Sequence, residues 1–411
     1  MLKGRHIIVG ISGGIAAYKI PELIRLLVKQ GAEVRVTTTK NALQFVTETT
    51  LRTLSGHAVY SDVFAAVNEH STEHISLPEW ADLMLVAPAT ANVVGKMAYG
   101  IADDALTTTF AACVARKPVV IAPAMNDKMY ANPTTQEALH SLVSKGVYVL
   151  DCADGFLACG TNGKGRMQES ESIIEACITA LTPQTLEGKQ VLITAGPTRE
   201  KIDPVRFVSN YSSGKMGYAI AQECLRRGAN VTLIAGPTSQ HISSFLSFGE
   251  DNINSLTLIT VESAAQMAQA AAEHWSKADI GVMSAAVADF TPVQVAREKL
   301  KKQPGQTEFV LPMTLTTDIA AALGSTKTER QLLVGFALET ENALENAYIK
   351  FRNKNLDLIV LNSLRDEGAG FGVDTNKVTL ITEKSKTNLP LLSKQEVAVG
   401  IIDAIESDFL S

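Results

Sequence analysis

The chain has 411 residues, of which 46% are hydrophobic and 19% charged, and its formal net charge is -6 at pH 7. This length suits two globular domains, and the negative charge argues against a general nucleic-acid or membrane surface, so an anionic ligand would need a local basic pocket. We find no signal-peptide pattern and no apolar run near the roughly 18 residues of a membrane span, so we expect a cytoplasmic protein. The five scattered cysteines lack CxxC spacing and indicate neither a disulfide framework nor a zinc knuckle.

The chain opens with a predicted βαβ unit. Residues 6–9 are a predicted strand, residues 10–14 a tight loop, residues 15–30 a helix with Ile15 in its apolar stripe, and residues 31–36 the next parallel strand. The loop does not have GxGxxG spacing. Alone, the unit therefore indicates only a nucleotide- or flavin-binding fold.

Two further buried strands are predicted at residues 81–87 and 119–122. Both lead into Ala-Pro-Ala or Pro-Ala sequences that are followed by an amide residue, Asn92 or Asn126. Ligands of open α/β sheets bind at the carboxyl edge of the strands, so we expect both amides at a binding site.

A glycine-rich segment, residues 155–166, comes next and has four glycines in twelve residues. This composition is unsuited to a core element, and we interpret the segment as a mobile flap that carries one thiol, Cys159. A helix is predicted at about residues 172–181, and residues 182–188 are the predicted linker.

The middle of the chain predicts a second phosphate-sized opening. The apolar run at residues 191–193 stops at Gly196-Pro197 and is followed by a loop and a helical pattern, an arrangement that suits a phosphate. It is not a P-loop, because Met216 follows Lys215 and Ser209 replaces the first glycine. Polar and charged residues in this segment favour an anionic ligand: Arg199, Asp203, Arg206, Asn210 and Lys215.

The second half repeats the plan of the first. Residues 228–231 echo residues 31–34, and strands are predicted at residues 278–288, 332–335 and 356–361. Shared architecture explains this repetition as well as duplication does. The predicted fold class is therefore α/β, with two doubly wound Rossmann-like domains at residues 1–183 and 188–411.

Two basic features of the second half suggest ligand contacts. Residues 297–305 form a basic loop, and Lys350 and Lys354 lie one turn apart on a predicted helix. Lys350 has no acidic residue three or four positions away, so an anion between the two lysines is one interpretation. A solvated helix face is the other.

Eight short motifs occur in order along the chain. The first half contains Ser12-Gly13-Gly14-Ile15-Ala16, Glu73-His74-Ile75, Pro123-Ala124-Met125-Asn126 and Leu157-Ala158-Cys159-Gly160. The second half contains Ala195-Gly196-Pro197-Thr198-Arg199, Ser209-Asn210-Tyr211-Ser212-Ser213-Gly214-Lys215, Ala285-Ala286-Val287-Ala288-Asp289 and Glu298-Lys299-Leu300-Lys301-Lys302. Together they resemble the bifunctional phosphopantothenoylcysteine decarboxylase/phosphopantothenate-cysteine ligase family of coenzyme A biosynthesis.

The resemblance implies a flavodoxin-like first domain that binds FMN and decarboxylates 4'-phosphopantothenoylcysteine without net redox change. FMN supplies the electron sink. In the family's roles His74 would act as base, Asn126 would bind the substrate carboxylate, and Cys159 would donate a proton. The implied FMN-binding residues are Ser12, Gly13, Gly14, Thr37, Thr39, Pro88, Ala89, Thr90 and Asn92.

For the second domain the resemblance implies ligation of 4'-phosphopantothenate to L-cysteine through an acyl-cytidylate made from CTP. Asn210 would belong to the acyl-cytidylate site, and Mg²⁺ would bridge phosphate oxygens, although no residue is identified as its ligand. Leu300 stands where Ile or Val is expected, a change of shape without charge. The implied CTP-binding residues are Ala285, Asp289, Lys299, Thr317, Asp318, Ile319, Ala320, Phe336, Lys350 and Lys354.

The family also implies a homo-oligomer with trimers of the flavin domain and dimers of the ligase domain, small-molecule substrates, and neither nucleic acid nor membrane as a partner. Three other interpretations remain. The sequence from His70 to His74 fits the HxxEH motif of inverted zinc proteases, although Pro78 would cut a helix short. Some relatives of the flavin domain are non-catalytic regulators, and two Rossmann-like halves also suit a dehydrogenase, although GxGxxG is absent.

Overall fold

The computed structural model describes residues 1–64, 72–156, 160, 162–242, 256–301, 304, 307–339, 342–363, 370 and 372–410. Within this part of the chain there are two compact units. The first contains Met1–Thr182, and the second contains Pro183–Ile242 and Asn254–Ser411. No helix in the described ranges is long and apolar enough to cross a membrane.

The first unit is built on a six-stranded parallel sheet with the strand order β3-β2-β1-β4-β5-β6. These strands are β1 His6–Ile11, β2 Glu33–Thr38, β3 Val59–Tyr60, β4 Leu83–Ala89, β5 Val119–Pro123 and β6 Tyr148–Val149. An antiparallel hairpin follows, made of β7 Ala153–Phe156 and β8 Asn162–Arg166. The order of the sheet reverses at β1, so its switch point lies between β1 and β4.

Helices cover both faces of this sheet. They are α1 Ile20–Lys29, α2 Glu48–Ser55, α3 Glu73–Trp80, α4 Ala91–Tyr99, α5 Ala105–Cys113, α6 Asp127–Tyr130, α7 Pro133–Ser144 and α8 Ser170–Leu181, with 3-10 helices at Ile15–Lys19 and Lys40–Gln44. Alternate residues of β1 enter different cores: Ile7 and Val9 belong to one buried cluster, and Ile8 belongs to the other. A central strand buried on both faces is the expected result of a parallel sheet between two helical layers.

The second unit has an eight-stranded sheet with the order β13-β12-β9-β14-β17-β18-β20-β21. Its strands are β9 Gln190–Ala195, β12 Asn230–Ala235, β13 Leu256–Thr260, β14 Ile280–Met283, β17 Leu332–Glu339, β18 Leu358–Ser363, β20 Val378–Ile381 and β21 Lys386–Asn388. The first six pair in parallel, and β20 and β21 add an antiparallel edge. The parallel part has the same topology as the sheet of the first unit, which confirms the predicted fold class.

Three small antiparallel pairs and five α-helices make up the rest of this unit as far as its residues are described. The pairs are β10 Arg199–Lys201 with β11 Phe207–Ser209, β15 Phe290–Pro292 with β16 Met313–Leu315, and β19 Thr375–Asn376 with β22 Leu392–Ser393. The helices are α9 Lys215–Arg226, α10 Ala264–Trp275, α11 Ile319–Thr326, α12 Ala343–Asn353 and α13 Lys394–Ile405, the last followed by a π-helical turn at Glu406–Leu410.

The repeated Gly-Ala sequence has the same structural role in both units. Gly31 and Gly228 follow α1 and α9, and their φ angles are +89° and +90°. In each case the next residue donates a backbone hydrogen bond back into the helix, from Ala32 to Leu27 and from Ala229 to Cys224. A glycine is favoured there because the left-handed conformation ends the helix and sends the chain into the next strand.

Several elements differ from the prediction, among them the strand predicted at residues 332–335, which runs on to Glu339 as β17. The helix expected at residues 15–30 begins as a 3-10 helix, and Ile15, assigned to its apolar stripe, is 58% exposed. The strand expected at residues 278–288 ends at Met283. Beyond it the segment is held beside β9 and the residues after β9 by both backbone and side-chain hydrogen bonds. The Ser284 and Ala286 amides donate to the Thr194 and Gly196 carbonyls, and the Ala285 and Ala288 amides donate to Thr194 Oγ1 and Thr198 Oγ1. This mixed pattern interrupts the regular ladder, and the segment continues as a loop along a cavity.

Candidate functional sites

The loops after β1 and β4 are joined by one buried hydroxyl. Ser12 Oγ donates to the Pro88 carbonyl at 2.6 Å and accepts from the Thr90 amide at 3.0 Å. Because β1 and β4 flank the switch point, this contact fixes the two loops that border the expected ligand crevice.

The first loop is tightly packed against its neighbours. A Cβ added at Gly13 would lie 2.5 Å from Asn41 Cβ, and one added at Gly14 would lie 3.0 Å from Thr90 Cγ2. Larger side chains at these positions would push the loop away from the wall of the crevice. The sequence therefore uses glycine here so that the backbone itself can form the surface facing a ligand.

A cavity of about 1030 Å³ lies at this edge of the first sheet. Six of the predicted FMN- and substrate-binding residues line it: Gly13, Gly14, Thr39, Thr90, Asn92 and Asn126. Four others lie buried behind its wall: Ser12, Thr37, Pro88 and Ala89. Its volume is that of a site for a sizeable organic ligand or cofactor.

Unsatisfied polar atoms occur close to this edge. Thr37 Oγ1 and Thr38 Oγ1, at the carboxyl end of β2, are buried and have no hydrogen-bond partner among the described residues. The same holds for Nδ1 of His74, on α3, although His74 does not belong to the cavity lining. Buried polar groups without partners are uncommon in folded proteins, and these fit a polar ligand such as FMN.

Asn126 caps the N-terminus of α6, and the neighbouring Met125 contacts the β7–β8 hairpin. Asn126 Oδ1 accepts from the Lys128 amide at 3.0 Å, and the Met125 amide donates to the Gly165 carbonyl at 2.9 Å. A Cβ at Gly165 would lie 2.3 Å from the Met125 oxygen, so the two backbones are in direct contact. The base of the glycine-rich hairpin is thereby fixed beside Asn126. Cys159 itself lies outside the described residues.

The HxxEH interpretation is tested only in part. His70 lies outside the described residues, whereas His74 is in α3, which continues through Pro78 to Trp80. Within the described ranges, no group of three or more His, Cys, Asp or Glu side chains is placed to hold a metal ion.

In the second unit, β9 and α9 approach each other closely. A Cβ at Gly217 would lie 2.5 Å from Ala195 Cβ and 2.6 Å from Ser284 Oγ. Gly214, which precedes α9, has a φ angle of +78° that favours glycine. This packing gives the strand, loop and helix arrangement that the sequence predicted, with the first turn of α9 facing a cavity.

That cavity has a volume of about 550 Å³. Of the predicted ligase residues, those that line it are Asn210, Ala285, Asp289, Thr317, Asp318, Ile319, Ala320, Phe336, Lys350 and Lys354. Asn210 Nδ2 donates to the Ala286 carbonyl at 2.8 Å, which fixes its amide at the cavity wall. The structure thus brings together residues from five separate segments of the second unit, namely loops, helices and the strand β17.

Lys350 and Lys354 each bind a carboxylate from another element. Lys350 Nζ is 2.6 Å from Glu339 Oε1, and Lys354 Nζ is 2.9 Å from Asp318 Oδ2. Burial acts to raise the pKa of Asp318, but the hydrogen bonds from Lys354 and the Ala321 amide outweigh it, so the pKa is lowered. The local spacing of the lysines had suggested an unmatched pair. The fold supplies their counter-charges.

Lys299 is exposed and does not belong to the described lining of the cavity. Its neighbour Leu300 is anchored, because the Leu300 amide donates to Asp203 Oδ2 at 3.1 Å and Arg206 Nη2 donates to the Leu300 carbonyl at 2.9 Å. The Arg206 hydrogen bond, followed by backbone donors, holds the pKa of Asp203 far below its usual range. Asp203 and Arg206 thus hold the basic loop, and Arg199 lies over the Phe207 ring at 4.6 Å.

Lys394 is a cavity residue that the sequence interpretation missed. It is the first residue of α13, whose capping box joins Ser393 to Glu396. The Ser-x-x-Glu spacing alone could have placed a helix start there. Nothing local in the sequence connects that helix start with a cavity built mainly from earlier strands.

Fold and cavities together define a two-domain α/β protein of the nucleotide- and flavin-binding class, with a ligand site at the carboxyl edge of each doubly wound sheet. Family models match both halves of the chain. The model described as Flavoprotein matches residues 1–182, and the model described as DNA/pantothenate metabolism flavoprotein C-terminal domain matches residues 186–409.

The coenzyme A biosynthesis bifunctional protein CoaBC of Bacillus subtilis (strain 168) is 46% identical over 409 residues, which are 98% of this chain and 97% of the relative. A cysteine/cysteine sulfinic acid decarboxylase from an unknown prokaryotic organism is 46% identical over 366 residues, which are 88% of this chain and 98% of that protein. A solved C-terminal domain of a CoaBC protein is 42% identical and covers 55% of this chain and 97% of that domain, with a TM-score of 0.44.

The chain therefore belongs to the family of the coenzyme A biosynthesis bifunctional proteins CoaBC. This confirms the family predicted from the eight motifs. It is a family of enzymes that join a flavoprotein decarboxylase to a ligase.

Proposed function

We propose that the second unit ligates 4'-phosphopantothenate to L-cysteine with CTP, and that the first unit decarboxylates the product to 4'-phosphopantetheine with FMN. One observation carries the proposal: each unit has a cavity at the carboxyl edge of its sheet, lined by half of the predicted site residues in the first unit and by nearly all of them in the second. The family membership of the whole chain supports both halves.

In the first unit, the glycine loop and the residues after β4 would hold FMN, which supplies a reversible electron sink when bound. Asn126, fixed at the cavity wall by the Lys128 amide, suits a group that binds the substrate carboxylate. His74 remains our proposed base, and its buried Nδ1 without a described partner agrees with a role toward a ligand. Cys159 remains the proposed proton donor, on chemical grounds alone.

In the second unit, Asn210 and Asp289 would contact the activated acyl group and the nucleotide, and the lysines would offset phosphate charge. Lys299 would act from the anchored basic loop. Mg²⁺ would be supplied with CTP and would help to offset its phosphate charge.

A spectrum and a product assay test this function together. The purified protein should show flavin absorption, and with CTP, 4'-phosphopantothenate, L-cysteine and Mg²⁺ it should release CMP, pyrophosphate and CO₂. Release of CO₂ from free L-cysteine at a comparable rate would instead favour the activity named in the relative that decarboxylates cysteine. A colourless protein that releases no CMP would refute the proposal.

We also propose a cytoplasmic homo-oligomer. The four described cysteines are free and buried, as is usual for proteins of a reducing compartment. Ligase-unit dimers are supported by large apolar side chains that are exposed on the β10–β11 and β15–β16 pairs and on the segments connecting their strands. These side chains are Val205, Phe207, Phe290, Val293, Val295, Phe309, Val310 and Leu315. Flavin-unit trimers rest on the family resemblance. Light scattering of the intact chain would measure the assembly.

A further inference from the structure

The lysines that line the second cavity differ in how their charge is balanced. Lys350 and Lys354 each have a carboxylate partner within 3 Å. Lys215 Nζ lies 2.6 Å from Asp374, whose side chain is 88% exposed. Lys394 has no carboxylate within ion-pair distance in the described part of the unit, where Nζ donates to the Gly370 carbonyl at 3.2 Å.

Lys394 occupies an unfavourable place for a cation. The residue is 8% exposed, so most of its side chain is removed from bulk water. It is the first residue of α13, where the helix dipole is positive and disfavours a cation. Burial lowers the Lys394 pKa, and repulsion from Lys215 lowers it further, while attraction from Asp374 opposes the shift.

The first turn of α9 faces the same cavity. Gly214, Lys215, Met216 and Gly217 all belong to its lining, as does Lys394. Backbone N–H groups at the start of a helix and nearby ammonium groups both favour an anion. The buried lysine and the start of α9 thus make this end of the cavity electropositive. Among the described residues, no carboxylate forms an ion pair with Lys394.

We propose that Lys394 is a substrate-binding residue that pairs with a phosphate group in the ligase cavity. This assignment rests on the proposed ligase function. Two substrates could supply the phosphate: CTP through its β- or γ-phosphate, and 4'-phosphopantothenate through its phosphate ester. Either would provide the anion that the described protein groups do not.

Binding measurements on the intact chain distinguish these sources. Lys394→Gln removes the charge, and Lys386→Gln is the matched control, because Lys386 is exposed on β21 and does not line the cavity. Calorimetric titrations at constant Mg²⁺ would use CTP and 4'-phosphopantothenate separately. We expect Lys394→Gln to raise the Kd of one of them about 10- to 100-fold, the range for a hydrogen bond to a charged group.

Phosphate-poor analogues identify the contact. CMP lacks the outer phosphates of CTP, and pantothenate lacks the ester phosphate, so the effect of Lys394→Gln should disappear with the matching analogue. Lys394→Arg should retain part of the affinity. Without ligand, Lys394→Gln should melt at or above the parent Tm, because no ion pair with a described carboxylate is lost. A lysine with a purely structural role would instead lower the Tm.

The outcomes separate the two proposals. If the parent binds both substrates and Lys394→Gln binds them equally well, the assignment of Lys394 is refuted and the ligase function stands. The assignment would also be refuted if Lys394→Gln weakened the binding of CMP or pantothenate as much as that of the matching substrate and also lowered the Tm. If the parent binds neither substrate, the proposed ligase function is refuted and the assignment falls with it.

Discussion

The contact between Gly165 and the Met125 backbone predicts that one methyl group will impair decarboxylation. Alanine at position 165 would place Cβ 2.3 Å from the Met125 carbonyl oxygen, whereas ordinary contact begins at 3.4 Å. The β7–β8 hairpin must therefore move away from the Asn126 segment by about 1 Å, a misplacement that can cost about 100-fold in rate when it affects reacting groups.

The same shift strains the hydrogen bond from the Met125 amide to the Gly165 carbonyl, which measures 2.9 Å. Overpacking of this kind costs about 1–3 kcal/mol. For a unit of this size, a loss of about 2 kcal/mol in the free energy of unfolding should lower the Tm of the first unit by about 4–8 °C. CTP-dependent ligation should be unchanged, because its proposed residues all belong to the second unit.

The assay is the rate of CO₂ release from supplied 4'-phosphopantothenoylcysteine, with flavin content measured by absorption. Gly95→Ala is the matched control: Gly95 lies within α4, and a Cβ there has open space. It should stabilise the protein by about 0.5–1 kcal/mol and leave the rate unchanged. A Gly165→Ala protein with the parent Tm and the parent rate would refute the account of the hairpin given above.

Three further predictions concern single positions. Lys299→Gln should sharply reduce CTP-dependent ligation and change stability by no more than about 0.5 kcal/mol, because the side chain is exposed; unchanged ligation would make Lys299 a solvated surface charge. Cys159→Ser should release CO₂ but stall before the final reduction, since a hydroxyl is a weaker acid than a thiol of pKa about 8.5, and normal yield of 4'-phosphopantetheine would eliminate Cys159 as the acid. A cut before Pro183 should leave two folded fragments with one activity each, because Gln184 and Leu186 bond to Arg226 and Arg227 within the second unit. Folded but inactive fragments would contradict that division.

Local sequence predicted the α/β plan and most of the parallel strands, because buried β-branched runs depend on neighbouring residues. It did not predict β3, β6, β13 or the antiparallel edge of β20 and β21. The strand predicted at residues 278–288 was too long, because the regular ladder with β9 ends at Met283, and beyond it the Ala285 and Ala288 amides bond to the side chains of Thr194 and Thr198, which are remote in sequence.

Much of each candidate site also followed from the sequence. Asn126 follows a predicted strand, and parallel strands end at one edge of a sheet, so its approach to a cavity follows from topology. Asn210 and Phe336 were implied as site residues by the family resemblance, and both line the second cavity. The motifs therefore predicted the lining residues better than they predicted what those residues contact.

Charge balance inside the cavities was decided by the tertiary structure alone. Lys350 binds Glu339 from the preceding strand, and Lys354 binds Asp318 from a different loop, so neither partner lies at helical spacing. Lys394 lies near Lys215 only because the fold places the first residues of α13 and of α9 in the lining of the same cavity. Secondary structure depends on neighbours along the chain, whereas the electrostatics of a site depend on which distant segments the folded core brings within a few ångströms of each other.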